Sequence, residues 1–387
     1  MALFRSFSAC CFLFPGLLFL SACMPTGFSQ GAQSEDVLGT ICTINLYEYG
    51  RNGLYSEVFN RLRELEDIFS ANRDGTDLDR INRNAGFAPV KVRAELIEVL
   101  DIALVIAEKS FGAFDPSIGP LVKLWGIGSD RARVPDDHER ENALKLIDYS
   151  DIEIDRDAGT VFLKRENMAL DLGAIAKGYA ADKIVKLLTQ KGVKRAIIDL
   201  GGDIFALGER KTGMSLSGFL GSLLSGEKGA ERDDSFWRIG IQNPGDSRGS
   251  YLGILRVKNK SVVTSGTYER FLEENGIFYH HILSVENGYP ADNGIVSVTV
   301  SADTCVIADA LSTAAFALGY ERGMELIESV PGAEGIFVFE DYGITMTDGI
   351  KTRFTLNAGE YFIRYAKPAG SRKSGITARL RSLPFRT

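Results

Sequence analysis

Histidine and cysteine are scarce in this 387-residue chain, which holds three His and five Cys. No CxxC or HExxH pattern occurs, so the usual zinc frameworks are excluded. An excess of positive charge is also missing. A formal net charge of −7 argues against general nucleic-acid binding, and no nucleic-acid partner is expected. The early apolar run Cys11–Leu20, which follows Arg5, is too short and too early for a spanning helix and reads as a secretory signal. Ser265 lacks a GxSxG elbow, which argues against a hydrolase nucleophile there.

What is present is globular: 45% of residues are hydrophobic and 25% charged. The length allows one large domain or two ordinary ones. Leu20-Ser21-Ala22-Cys23 has the apolar-small-small-Cys form of a bacterial lipoprotein cleavage box. The reading is a signal peptide over 1–22 with Cys23 acylated. A polar tether over 23–36, a domain over 37–365 and a basic tail over 366–387 follow. Each buried CH₂ of an acyl chain contributes about 0.8 kcal/mol, so a multiply acylated Cys23 would hold the protein on the extracytoplasmic face of a bacterial membrane. Cys42 and Cys305 each lie in an apolar stretch and are expected as buried free thiols.

Periodicity places a strand over 38–46, a helix over 56–69, a short helical turn over 77–82 and a helix over 95–109. The segment 111–120 is rich in breakers, and 131–139 reads as a charged surface loop. A hairpin is expected over 152–155 and 161–163. A helix after Gly173 ends near Gly192. Strands follow at 196–200 and 203–207 around Gly201-Gly202, then at 237–242, 253–257, 261–264, 278–283 and 295–301, with a helix over 304–318. Hairpins marked by glycine and interleaved with helices predict an α+β fold with mainly antiparallel sheets, not a doubly wound one. The stretch 210–234 is a long Gly/Ser-rich insertion with an apolar patch, 214–224. A flexible surface insertion is the expected reading, with membrane or partner contact as the alternative. The tail after Tyr365 carries Lys367, Arg372, Lys373, Arg379, Arg381 and Arg386 with no acidic residue. Solvated disorder is its expected state, and contact with anionic lipid is the alternative.

Three stretches could carry chemistry. In Met168–Asp182, Asp171, a glycine turn and Lys177 near a helix N-terminus suit an anionic ligand. Asp309 and Thr313, four apart on an apolar helix, share a face and with a nearby carbonyl would form a hard oxygen site. In Tyr279-His280-His281, alternation turns the two imidazoles to opposite faces, so one at most enters a given cleft. Taken singly, each has an ordinary structural explanation: a turn, a core Thr, a packed His.

In order along the chain, however, these segments resemble the ApbE family of FAD:protein FMN transferases. They are Leu38-Gly39-Thr40, Phe69-Ser70 through Asn82, 112–116 (GAFDP), 171–179 (DLGAIAKGY), 199–203 (DLGGD), 237–244 (WRIGIQNP), Thr264-Ser265-Gly266, His281-Ile282, Gly288-Tyr289-Pro290, and Ala308-Asp309 with Thr313. The resemblance implies a T-fold-like single catalytic domain that binds FAD and Mg²⁺. It implies cleavage of the pyrophosphate and attachment of FMN through a phosphoester to Thr or Ser of exported flavoproteins, such as redox-pump subunits. Carried over by position, the Ala174 carbonyl, Asp309 and Thr313 would hold Mg²⁺. Asp171 and Lys177 would contact FAD, with Lys177 offsetting developing charge. Ala113, Phe114 and Asp115 would line the same pocket, with Leu38 and Leu283 as apolar or backbone contacts. His281 would deprotonate the acceptor hydroxyl. Asn72 stands where the family often has Tyr beside the flavin, and Ser284 where an Asp commonly follows the histidine. The Asn72 departure keeps open a Mg²⁺-dependent FAD pyrophosphatase releasing FMN and AMP. A flavin-binding lipoprotein without turnover is a further alternative.

Overall fold

A computed structural model describes residues 31–47, 52–210, 235–247 and 249–364. Cys23, the signal segment, the insertion from 211 to 234 and the tail from 365 lie outside the described residues. The domain is organised on one nine-stranded sheet. Its strands, in spatial order, are Gln33–Val37, Thr40–Leu46, Ala196–Leu200, Asp203–Leu207, Lys260–Gly266, Ile295–Ser301, Glu334–Phe339, Gly343–Met346 and Phe362–Ile363. Every pair is antiparallel except the last, which is parallel. The expected α+β class with mainly antiparallel pairing is what the chain adopts. The first strand begins at Gln33, inside the stretch read as tether, and pairs Gln33 with Ile44.

Strand alternation divides the core in two. Phe205, Val263 and Phe337 face a large cluster shared with the helices Asn52–Phe69, Ala94–Lys109, Ala176–Gln190 and Cys305–Leu318. Their neighbours Ile204, Ala206, Val262, Ile336 and Val338 face the opposite way. There they meet a small sheet of Trp237–Gln242, Tyr251–Val257 and Phe354–Leu356. Both sides of the central strands are therefore covered, which is why they read as nearly continuous apolar runs.

Three segments differ from expectation. The breaker-rich 111–120 stretch runs into a helix, Gly119–Trp125, with Pro120 in its first turn, where a missing N–H costs nothing. The charged stretch read as a loop over 131–139 opens a helix, Asp137–Leu144. Asp136 and Glu139 there form a capping box that outweighs the charge density. The strand expected to reach Leu283 stops at His280, in a hairpin of Phe271–Glu274 with Ile277–His280. Cys42 and Cys305 are free and buried, and burial pushes the Cys42 thiol up to about 12.

Candidate active site

Two tight hairpins bring the site together at one end of the sheet. Leu38-Gly39 turns with φ of 59° and 67°, and Gly201-Gly202 with 69° and 103°. Such turns match strand twist. Only glycine fits the second: a Cβ at Gly201 would lie 2.2 Å from Thr40 Oγ1. The strand after it starts with Asp203, buried beneath the first turns of the Ala176–Gln190 helix.

Lys177 sits at that helix N-terminus. Its Nζ lies 3.3 Å from Asp203 Oδ2 and 3.5 Å from Asp309 Oδ2, and donates to the Gly173 carbonyl at 3.2 Å. Burial alone would lower its pKa; the two carboxylates outweigh this and hold it above its ordinary value. Asp203 is also pushed up, by burial and by the Asp309 charge. Although ion-paired with Lys177, its Oδ2 is buried without a properly directed hydrogen bond. Asp203 was quoted in the sequence motif without a role, and the fold makes it part of the charge cluster.

Asp309 enters through a backbone exception. An N–H four residues on normally closes the helix onto the Ala174 carbonyl. The Gly178 N–H donates instead to Asp309 Oδ2 at 3.0 Å, and among the described residues no backbone N–H reaches Ala174 O. This needs glycine: a Cβ at 178 would lie 2.4 Å from the Cys305 carbonyl and 2.7 Å from Asp309 Cβ. In an ordinary helix Gly→Ala gains about 1 kcal/mol. Here Gly178→Ala is expected to cost about 1–3 kcal/mol through overpacking, read as a lower Tm. A higher Tm would contradict this close approach. Asp182 completes the helix pairing: its two oxygens accept from Cys305 N at 2.8 Å and Val306 N at 2.9 Å. Burial pushes its carboxyl up to about 7 against those bonds.

Thr313 lies one turn beyond Asp309 and is oriented by Ser265, whose Oγ is 3.0 Å from Thr313 Oγ1 and 2.8 Å from Ser312 Oγ. Ser265 thus positions a hydroxyl. Among the described residues no cluster of three or more His, Cys, Asp or Glu side chains is arranged for a metal. A cation here would draw on mixed oxygens. The Asp309 carboxylate, the Thr313 hydroxyl, an Ala174 carbonyl without a backbone donor and the orphaned Asp203 oxygen fit a hard divalent ion.

Asp171 closes the other side. Its N–H donates to the Pro116 carbonyl at 2.9 Å, and its Oδ1 accepts from Gly173 N at 2.8 Å. Burial raises its pKa; the Gly173 bond and the charges of Arg270 and Lys177 oppose this. His281 follows the Ile277–His280 strand, half-buried. Its Nδ1 is 3.2 Å from the Arg270 carbonyl, so Nδ1–H donates and Nε2 keeps its lone pair. Burial, with Arg270, His280 and Lys177, pushes its pKa down to about 4. His280 is structural: its Nε2 bonds the Ala291 carbonyl at 3.1 Å, its Nδ1 accepts from Ile282 N, and its ring edges onto Phe316. Arg270, given no role in the sequence, bridges to the Gly39 carbonyl at 3.3 Å.

The other sequence-derived residues lie in the 113–115 loop, at two turns and in a satellite cluster. Asp115 is not a free carboxylate: Oδ1 accepts from Ser117 N and Oγ, and Oδ2 from Tyr149 N. Phe114 belongs to the core. Leu283 packs with Leu121 and Trp125 in a satellite cluster. For these three the side chains are already engaged, leaving only backbone to a ligand. Ala113 is half-buried in the same loop, Leu38 is half-buried at its turn, and Asn72 is exposed in the turn after Ser70.

The model of the ApbE family matches residues 38–337. Two curated FAD:protein FMN transferases, from Treponema pallidum (strain Nichols) and Klebsiella pneumoniae (strain 342), are 40% and 34% identical over 331 and 322 residues. The alignments cover 83% of this chain in both cases, and 88% and 93% of the relatives. Among solved structures, the ApbE protein from Thermotoga maritima matches with a TM-score of 0.70 at 29% identity. The flavin transferase ApbE from Vibrio cholerae gives 0.69 at 26%. Each match covers 83% of this chain and 98% of the other.

Proposed function

This chain belongs to the ApbE family, and from that membership and the geometry above we propose that it cleaves FAD with Mg²⁺ and transfers FMN to a Thr or Ser hydroxyl of exported flavoproteins, such as subunits of membrane redox pumps. The observation that carries this is the convergence of the Lys177 ammonium and the Asp309 carboxylate at a helix N-terminus whose Gly178 N–H is diverted from the Ala174 carbonyl to Asp309. That pairing suits a pyrophosphate, whose cleavage needs charge neutralisation more than covalent help.

In the proposed reaction, His281 Nε2 takes the proton of the acceptor hydroxyl. The hydroxyl oxygen bonds to the FMN phosphorus, the bridging P–O bond breaks, and AMP leaves with the electron pair. Lys177 offsets the charge that grows on the phosphates. Asp203 and Asp309 hold Lys177 charged and in place. Mg²⁺, held by Asp309, Thr313 and the Ala174 carbonyl, supplies Lewis-acid neutralisation when bound. Asp171 and the 113–115 backbone line the FAD cleft.

Water is the competing nucleophile. Asn72, exposed and polar where an aromatic would exclude solvent, favours a second reading as a FAD pyrophosphatase. One assay separates them: incubate the protein with FAD, Mg²⁺ and a Thr-bearing acceptor domain, then denature. Flavin fluorescence retained on the acceptor is expected. FMN and AMP without labelling would replace transfer by hydrolysis, and intact FAD would leave only a flavin binder. We also propose acylation at Cys23 and an extracytoplasmic, membrane-anchored location. Incorporation of labelled palmitate that Cys23→Ser abolishes is the expected result.

A further inference from the structure

The end of the sheet opposite the proposed flavin site holds a cluster of arginines. Register fixes which end is which. Leu200 pairs with Asp203 beside the Gly201-Gly202 turn, whereas Leu46 pairs with Ala196, and Ala196 with Leu207, at the far end. The five-residue strand Ala196–Leu200 separates the two ends by about 14 Å. At the far end Tyr47, Arg195, Arg210, Trp237 and Arg238 line a cavity of about 530 Å³. Tyr47 and Trp237 pack with ring centroids 4.7 Å apart. The indole Nε1–H donates to the Leu207 and Gly208 carbonyls, so the ring is fixed. Arg195 donates to the Tyr47 carbonyl at 2.9 Å. Among the described residues none of the three guanidiniums has a carboxylate partner; Glu209, next to Arg210, pairs with Lys258.

Three arginines without a carboxylate partner among the described residues, in a chain of net charge −7, are a local reversal of sign there. Their position is informative because the chain leaves the described domain at the same end. Gln33 pairs with Ile44, so the N-terminal segment departs near Leu46. Arg210 N donates to the Ser235 carbonyl at 2.8 Å, so the 211–234 insertion leaves and returns there. Phe362 and Ile363 run parallel to Gly343 and Ile344, toward the end where Met346 pairs with Ile336 and Ser301 with Glu334. The basic tail therefore starts in that direction. From Cys23 to Gln30 are eight residues, a reach of about 27 Å when extended.

We propose that this arginine-lined cavity receives phosphate headgroups of an anionic membrane surface and turns the flavin cleft away from the bilayer. The cavity argument is independent of acylation; the orientation it gives rests on the reading of Cys23 as the anchor. Each basic residue near an anionic surface strengthens partitioning about fivefold, so losing three predicts a drop on the order of a hundredfold. Guanidinium geometry suits phosphate, and Trp237 reports occupancy by fluorescence.

The test uses the full mature chain with Cys23→Ser, so that acylation contributes nothing. Binding to mixed phosphatidylglycerol–phosphatidylcholine vesicles is expected, with none to phosphatidylcholine alone. Arg195→Gln/Arg210→Gln/Arg238→Gln is expected to lose that binding about a hundredfold while FAD affinity stays unchanged, which keeps a failed flavin reading distinguishable. Should the triple variant not fold, Arg238→Glu alone, at an exposed position, is expected to weaken binding by tenfold or more. Equal vesicle binding by wild type and variants would assign membrane affinity to the tail and overturn the proposal. So would a Trp237 response to inorganic phosphate equal to that with vesicles.

Discussion

Asp309→Asn is expected to slow FMN transfer by about three orders of magnitude and to abolish its dependence on Mg²⁺. The substitution is chosen to isolate charge. Asn keeps an oxygen that can accept from Gly178 N, so the helix contact and the fold should survive. What disappears is one of the two carboxylate charges that face Lys177, and an anionic metal ligand of the proposed site. A consequence follows for Asp203, whose pKa is raised by burial and then by Asp309. With Asp309 neutral, Asp203 becomes the main counter-charge for Lys177. A readout independent of turnover is thermal stability. In the wild type, Mg²⁺ is expected to raise the Tm of the FAD-loaded protein further than FAD alone, as any ligand specific to the folded state does. In Asp309→Asn the added Mg²⁺ shift should vanish while the FAD shift remains. An intact Mg²⁺ increment would remove Asp309 from the metal site. Unchanged transfer would remove it from the reaction.

How much of this was legible beforehand depends on distance along the chain. The helix from Ala176 and the hairpin around Gly201-Gly202 are local, and glycine placement with apolar periodicity declares them; the Leu38-Gly39 turn reads as the start of a strand, because the partner strand Gln33–Val37 is mostly polar. Asp309 and Thr313 share a face by helical spacing alone. The intrusion of Asp309 into the turn at Ala174 is different. It depends on a missing Cβ at Gly178, 131 residues away from Asp309, and on the close crossing at Cys305. Sequence shows the glycine but not what fills the space. Asp203 and Arg270 were passed over for the same reason, since each gains its meaning from partners on other elements. Asp115 takes its partners from nearer by: Ser117, two residues on, and Tyr149 occupy both of its oxygens. The capped helix at Asp137 was hidden by its own charge, because a run of Asp, Glu and Arg reads as surface whether helical or not.

His281 yields the second large effect, and it carries a sign that separates it from an ordinary histidine. His281→Asn is expected to lower kcat/KM for transfer by about 10²–10⁴-fold, the range for a lost general base, while leaving FAD binding intact. The pH profile is sharper still. An ordinary imidazole titrates near 6.5, and burial, aided by Arg270 and Lys177, pushes this one down to about 4. A depressed pKa means that the neutral, base-competent form persists as pH falls. The acid limb of kcat/KM, which reports the free protein, should therefore lie well below 6.5 and near 4 to 5. Bound pyrophosphate brings negative charge to the same cleft and favours the imidazolium. The limb in kcat, which reports the complex, should then sit at higher pH than the limb in kcat/KM. The ordering matters because acid unfolding would lower both together, and activity lost by titration must return when the sample is brought back to pH 7. A kcat/KM limb at or above 6.5, or His281→Asn within a few-fold of wild type, would show that another group takes the acceptor proton. With Nδ1–H committed to the Arg270 carbonyl, Nε2 is the lone pair this imidazole has to offer, so the two measurements bear on a single atom.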